Sequence, residues 1–137
     1  MQGAFLVQKG NNMNSETVSW IVSGEGKAIG KTTNKATILG TEYNIIVDDS
    51  IILNNVDGLC KSYDKEIIIR SANKMLSSDD SIETKETRFK EVLRHEIIHA
   101  FLDESGLDDY SNNEQLVQWL ASQFPKMQKV FTELGCI

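Results

Sequence analysis

Two histidines stand four residues apart with an acid directly after the first: His95-Glu96-Ile97-Ile98-His99. They are the only two histidines of the chain. On a helix, residues i and i+4 share a face, so the two imidazoles converge on one point. Glu96 is turned about 100° from His95, close enough to act at that point without occupying it. The flanks suit a helix. Val92, Leu93, Ala100, Phe101 and Leu102 are apolar, and residues 92–102 contain neither proline nor glycine. An ordinary amphipathic helix with two surface histidines would need a solvated face. Ile97, Ile98, Phe101 and Leu102 leave little of one.

This is the HExxH arrangement, in which two imidazoles bind Zn2+ and the glutamate serves as base. Catalytic zinc takes three protein ligands and a water. With no third histidine, the third ligand is a carboxylate or, less favourably, a cysteine. Asp103 lies one turn beyond His99 but is short; Asp103 or Glu104 is better suited to hold an imidazole N–H. Glu114 is the stronger candidate, fifteen residues after His99 and just inside the next helix, which a short connection can fold back beside the first. A competing use exists, because Ser111-Asn112-Asn113-Glu114 also has the form of a capping box. Asp108 and Asp109 are the fallback ligands.

The rest of the chain bounds the setting. Its 137 residues suffice for one core but hardly for two. Hydrophobic residues at 40% and charged residues at 25% are those of a soluble globular protein. No apolar run approaches the ~20 residues of a membrane span, and Ala4-Phe5-Leu6-Val7 is too short for the core of a secretory signal. Cys60 and Cys136 form no CxxC pair and suggest no disulfide framework. The expected location is a reducing, bacterial-type cytoplasm. A net charge of −6 with no basic stripe argues against nucleic acid as a partner.

Along the chain, residues 1–35 are rich in Gly, Asn, Ser, Thr and Lys and read as an extension or arm. Residues 17–22 could pair with 27–32 as a hairpin. Gly24 to Thr32 imitates a phosphate-binding loop, but the first glycine of that pattern would fall at Glu25, whose carboxylate repels phosphate. The folded domain is expected over 36–137. Residues 37–47 read as one strand, or one bent around Gly40. Residues 58–62 and 66–70 flank a turn at Tyr63-Asp64-Lys65 and form a plausible hairpin, with Ile67-Ile68-Ile69 buried. A helix follows, capped by Ser81 or by Asp80 with Glu83, and runs to about Ser105 with Gly106 as its C′ residue. A second begins after Asn113, and Pro125 is expected to split it and start a third stretch to Leu134. Strands first and helices after is an α+β class.

The runs 94–107 (RHEIIHAFLDESGL) and 113–127 (NEQLVQWLASQFPKM) resemble small metallopeptidase-like proteins of phages and prophages of Gram-positive bacteria. These in turn resemble the ImmA/IrrE group and the minimal gluzincins. The resemblance spans about 37–130. It implies a zincin-like fold, a small sheet followed by an active-site helix and one or two more. It also implies zinc on His95, His99 and Glu114, with Glu96 as base. The spacing from His99 to Glu114 is shorter than in the ImmA/IrrE proteins, so the intervening loop must be tight. Gln-Trp-Leu-Ala at 118–121 replaces the Ala-Asn-x-Phe-Ala run found there. The expected activity is peptide hydrolysis of restricted specificity on a protein or peptide substrate, with Glu96 taking a proton from water on the metal. Tyr110 is the nearest candidate to donate to the developing oxyanion. The edge of the 66–70 strand is a candidate to bind extended peptide. The alternative is a non-catalytic phage regulatory or host-interaction protein whose zinc is structural or vestigial. The retained Glu96 counts against it.

Overall fold

The computed structural model describes residues 31–49, 55–75 and 81–137. These form four strands and then helices: β1 (Lys31–Ile38), β2 (Thr41–Asp48), β3 (Gly58–Lys61), β4 (Glu66–Ile69), a 3-10 turn (Ala72–Lys74), α1 (Ile82–Glu104), α2 (Asp108–Ser111) and α3 (Glu114–Glu133). The class is α+β. The suggested hairpin of 17–22 with 27–32, the phosphate-loop look-alike at 24–32 and the Asp80 cap fall wholly or largely outside the described residues.

Residues 37–47 are not one strand. The chain reverses at Leu39-Gly40, where both residues have positive φ (49° and 84°), and Ile38 pairs with Thr41. Two central residues with positive φ define the tight hairpin turn that matches strand twist. Because β1 begins at Lys31, it runs across the 35/36 boundary that composition suggested. β3 and β4 form the expected antiparallel hairpin, and β4 also pairs in parallel with β2, giving the order β1-β2-β4-β3. The 66–70 strand is therefore interior, and the outer strands among the described residues are β1 and β3.

α1 lies across one face of this sheet. Ile38, Tyr43, Ile45 and Ile67 pack with Ala100, Leu93 and Ile97; Val47 and Ile69 pack with Phe89, Val92 and Leu93. Ile46 and Ile68 point to the opposite face and bury against each other. That two-sided burial explains the unbroken Ile67-Ile68-Ile69 run. α1 is less enclosed than its apolar content implied: Phe89, Glu96 and Ala100 are its buried residues, while Phe101 is exposed.

The ends of α1 follow sequence signals. The Ser81 side chain accepts from the Thr84 N–H. At the other end Gly106 has φ +72°, its N–H bonds to Asp103 O and the Leu107 N–H bonds to Leu102 O, a Schellman closure. The turn then admits one helical turn, α2, before α3 returns alongside α1. Pro125 does not split α3, which is continuous through it. A proline at 125 cannot donate to the carbonyl of Ala121. Arg94 Nε does so instead, at 2.7 Å, so α1 satisfies the acceptor that the proline orphans. No helix among the described residues is long and apolar enough to cross a membrane.

Candidate metal centre

α1 and α3 run antiparallel, which sets His95 and His99 opposite the first turn of α3. Glu114 Oε1 lies 3.0 Å from His95 Nε2, and Oε2 lies 3.1 Å from His99 Nε2. The two Nε2 atoms are 3.2 Å apart. Tetrahedral Zn2+ with bonds of about 2.0–2.1 Å separates its ligand atoms by ~3.3 Å, so the three groups already stand at coordination spacing. The capping-box use of Glu114 is not realised. Asn113 is the N-cap, accepting from the Leu116 N–H, and the Glu114 side chain is turned toward the imidazoles.

The outer nitrogens determine what the inner ones offer. The Gln118 amide nitrogen donates to Glu91 Oε1 at 2.8 Å, leaving its oxygen 2.9 Å from His95 Nδ1. That oxygen only accepts, so His95 carries its proton on Nδ1. Ser111, buried on α2, places its hydroxyl 3.1 Å from His99 Nδ1 and 3.5 Å from the His99 carbonyl oxygen. Both Nε2 atoms are thereby turned toward each other and a carboxylate. One proton bridges two of these atoms; one metal ion satisfies all of them. Hydrogen bonds to the remote ring nitrogen are how proteins orient metal-binding imidazoles. The donor set thus fits Zn2+.

Glu96 projects from the adjacent face of α1 beneath β3 and is 7% exposed. Burial pushes its carboxyl up from its ordinary value, as does the Glu114 charge; His95 and the Cys60 backbone N–H pull it back down. The fit is close because residue 58 is glycine. A Cβ there would stand 2.9 Å from Val92 Cγ1 and 3.0 Å from Glu96 Cγ. Burial also pushes the Cys60 thiol up to about 12, helped by the Asp103 charge. It is held neutral, which makes it a poor competitor for the metal.

A cleft of about 990 Å³ opens over these groups, between β3 and its turn on one side and α2 with the start of α3 on the other. Asp103 and Asp108 line it, whereas Asp109 does not. Neither Asp103 nor Glu104 holds an imidazole. Glu104 accepts from Thr41, Tyr43 and Lys65, and these donors, Lys65 first, draw its carboxyl down to about 2. The orienting partners Gln118 and Ser111 went unseen in the sequence. Each is a common polar residue whose role appears only once α2 and α3 are docked. Tyr110 does not line the cleft. On the single turn of α2, Asp108 and Ser111 share the cleft face and Tyr110 points to solvent. The tyrosine lining the cleft is Tyr63, from the β3–β4 turn.

No known protein family, curated protein or solved structure matches the chain.

Proposed function

We propose that this chain is a zinc-dependent peptidase of the small gluzincin kind, zincin-like in fold and of restricted specificity. His95, His99 and Glu114 hold the metal, and Glu96 is the general base. The observation that carries this reading is the convergence of two imidazoles, each with a polar partner on its Nδ1, and a glutamate at tetrahedral spacing, beside a second, buried glutamate. When bound, Zn2+ supplies Lewis acidity, which polarises a carbonyl and makes water a better acid.

Glu96 has the environment a base requires. Its burial makes it a stronger base than a surface glutamate, and the Cys60 N–H fixes one of its oxygens. It takes a proton from the water that attacks the scissile carbonyl carbon. As the C–N bond breaks, it returns that proton to the leaving nitrogen, and the products are a carboxylic acid and an amine. The outer edge of β3, which pairs with no other strand among the described residues, offers a docking rail. Arg70 N–H bonds to Asp57 O, so residues 57, 59 and 61 turn their backbone groups toward β4, and those of Gly58 and the Cys60 carbonyl face outward, the Cys60 N–H being taken by Glu96. An extended peptide can pair there; this role passes from the interior strand β4 to β3.

The test is zinc per chain by elemental mass spectrometry after dialysis, followed by Glu96→Gln. The expected result is close to one equivalent in both proteins, with peptide hydrolysis reduced at least ~100-fold in the variant. A chain that takes up no zinc ends the proposal. So does a Glu96→Gln protein that hydrolyses peptides as well as the wild type. A variant and wild type that both bind zinc and cleave nothing would favour the structural-metal alternative.

A further inference from the structure

The cleft extends well past the metal centre toward the N-terminal half of α1, where Arg88 lines it. Arg88 is held firmly from behind. Its Nε and Nη2 both reach one oxygen of Asp57, at 2.9 and 2.8 Å, and Asp57 is 4% exposed. The other Asp57 oxygen faces Arg70 Nε at 3.6 Å, so one buried carboxylate serves two guanidiniums. Among the described residues Arg88 makes no other polar contact, and its side chain is 43% exposed. Two of its three nitrogens are engaged from one side, and the remaining N–H groups are left for the cleft. A guanidinium anchored this way loses little freedom on meeting a ligand, and its fork matches carboxylate geometry.

Its position relative to the reaction follows from the frame. Seven residues of helix separate Arg88 from His95, about 10 Å along the axis. That is about three residues of extended peptide. The direction is also set. Gly58 sits against Val92 and Glu96, and Lys65 beyond the turn reaches Glu104, so β3 advances in the same sense as α1. A peptide pairing antiparallel to β3, the more stable addition, runs the opposite way and brings its C-terminal portion to Arg88.

We propose that the Arg88 end of the cleft is an anion subsite, which docks a substrate carboxylate about three residues to the C-terminal side of the cleaved bond. The carboxylate is either the peptide's own C-terminus or an Asp or Glu side chain. This rests on the peptidase reading and adds its substrate class.

The zinc-loaded full chain is incubated with a peptide library made from a proteome digest, and cut sites are mapped by mass spectrometry. The wild type is expected to favour sites with Asp, Glu or a free C-terminus near the third position after the cut. Preference for internal Asp or Glu assigns the side chain, and preference for the last residue assigns the terminus. Arg88→Gln should lose the preference at least ten-fold. Arg88→Lys keeps the charge but not the fork and should retain part of it; this variant carries the test where Arg88→Gln unfolds. Cleavage with no acidic preference overturns the subsite. So does a preference unchanged in Arg88→Gln, or one on the N-terminal side. If the loaded wild type cleaves nothing, it is the peptidase reading that fails. The subsite is then judged by the Arg88 Nε–H resonance, titrated with N-acetyl-trialanine and with its C-terminal amide. A shift with the acid alone supports an anion site, and no shift overturns it.

Discussion

At Gly58 a single methyl group decides whether β3 stays seated on the helix. The added Cβ of Gly58→Ala would press on Val92 and on the stem of Glu96, both fixed in a packed layer. The expected cost is about 1–3 kcal/mol, read by urea denaturation, together with lost activity because the base is displaced. Glu104 makes a second prediction. Its carboxyl is drawn from 4.5 to about 2 by Lys65, Tyr43 and Thr41, so the folded state prefers it ionised. The stability this contributes is present above pH 4.5 and is lost as pH falls toward 2. Melting curves over that range should fall more steeply for the wild type than for Glu104→Gln, and parallel curves would count against the network.

Among the elements, α3 is the one whose continuity needs an outside partner. Arg94→Met would leave the buried Ala121 carbonyl without a donor, since Pro125 has no N–H to offer. The expected loss is about 1–3 kcal/mol. In a Pro125→Ala background the helix supplies its own donor, so the same Arg94 change should cost less. A double-mutant cycle with no coupling would refute this account. The same pair marks where sequence reading stops. Local signals were legible: Ser81 and Gly106 bracket α1, the Tyr63-Asp64-Lys65 turn between two short runs marks β3 and β4, and the histidine spacing puts both imidazoles on one side of α1. Glu114 was within reach because a two-histidine site lacks a ligand. Non-local ones were not. Leu39 in a left-handed conformation carries no turn signature, and a proline is read as a break until Arg94 is known to face it. Gln118 and Ser111 acquire their roles only from helices docked across the cleft.

For the whole molecule, a metal on His95, His99 and Glu114 would tie α1 to α3 and stabilise the fold by mass action. Zn2+ at about 100 times its dissociation constant is worth ~2.7 kcal/mol. Added zinc should raise the melting temperature of the metal-free protein by several degrees, and chelator should reverse it. Glu114→Ala should shrink the shift, because only one helix then holds the ion. An unchanged melting temperature would argue against a metal that bridges the helices. The sheet contributes none of these ligands. Every residue that would hold or orient around such an ion, from His95 to Gln118, lies in one stretch of chain folded back on itself, whereas the amide that holds Glu96 comes from β3. The widest of these contacts in sequence, His95 with Gln118, spans 23 residues. On the proposed reading, the part of the fold that would hold the ion and the part that fixes the base are thereby different pieces of chain, so damage confined to β3 should spare metal uptake and abolish cutting.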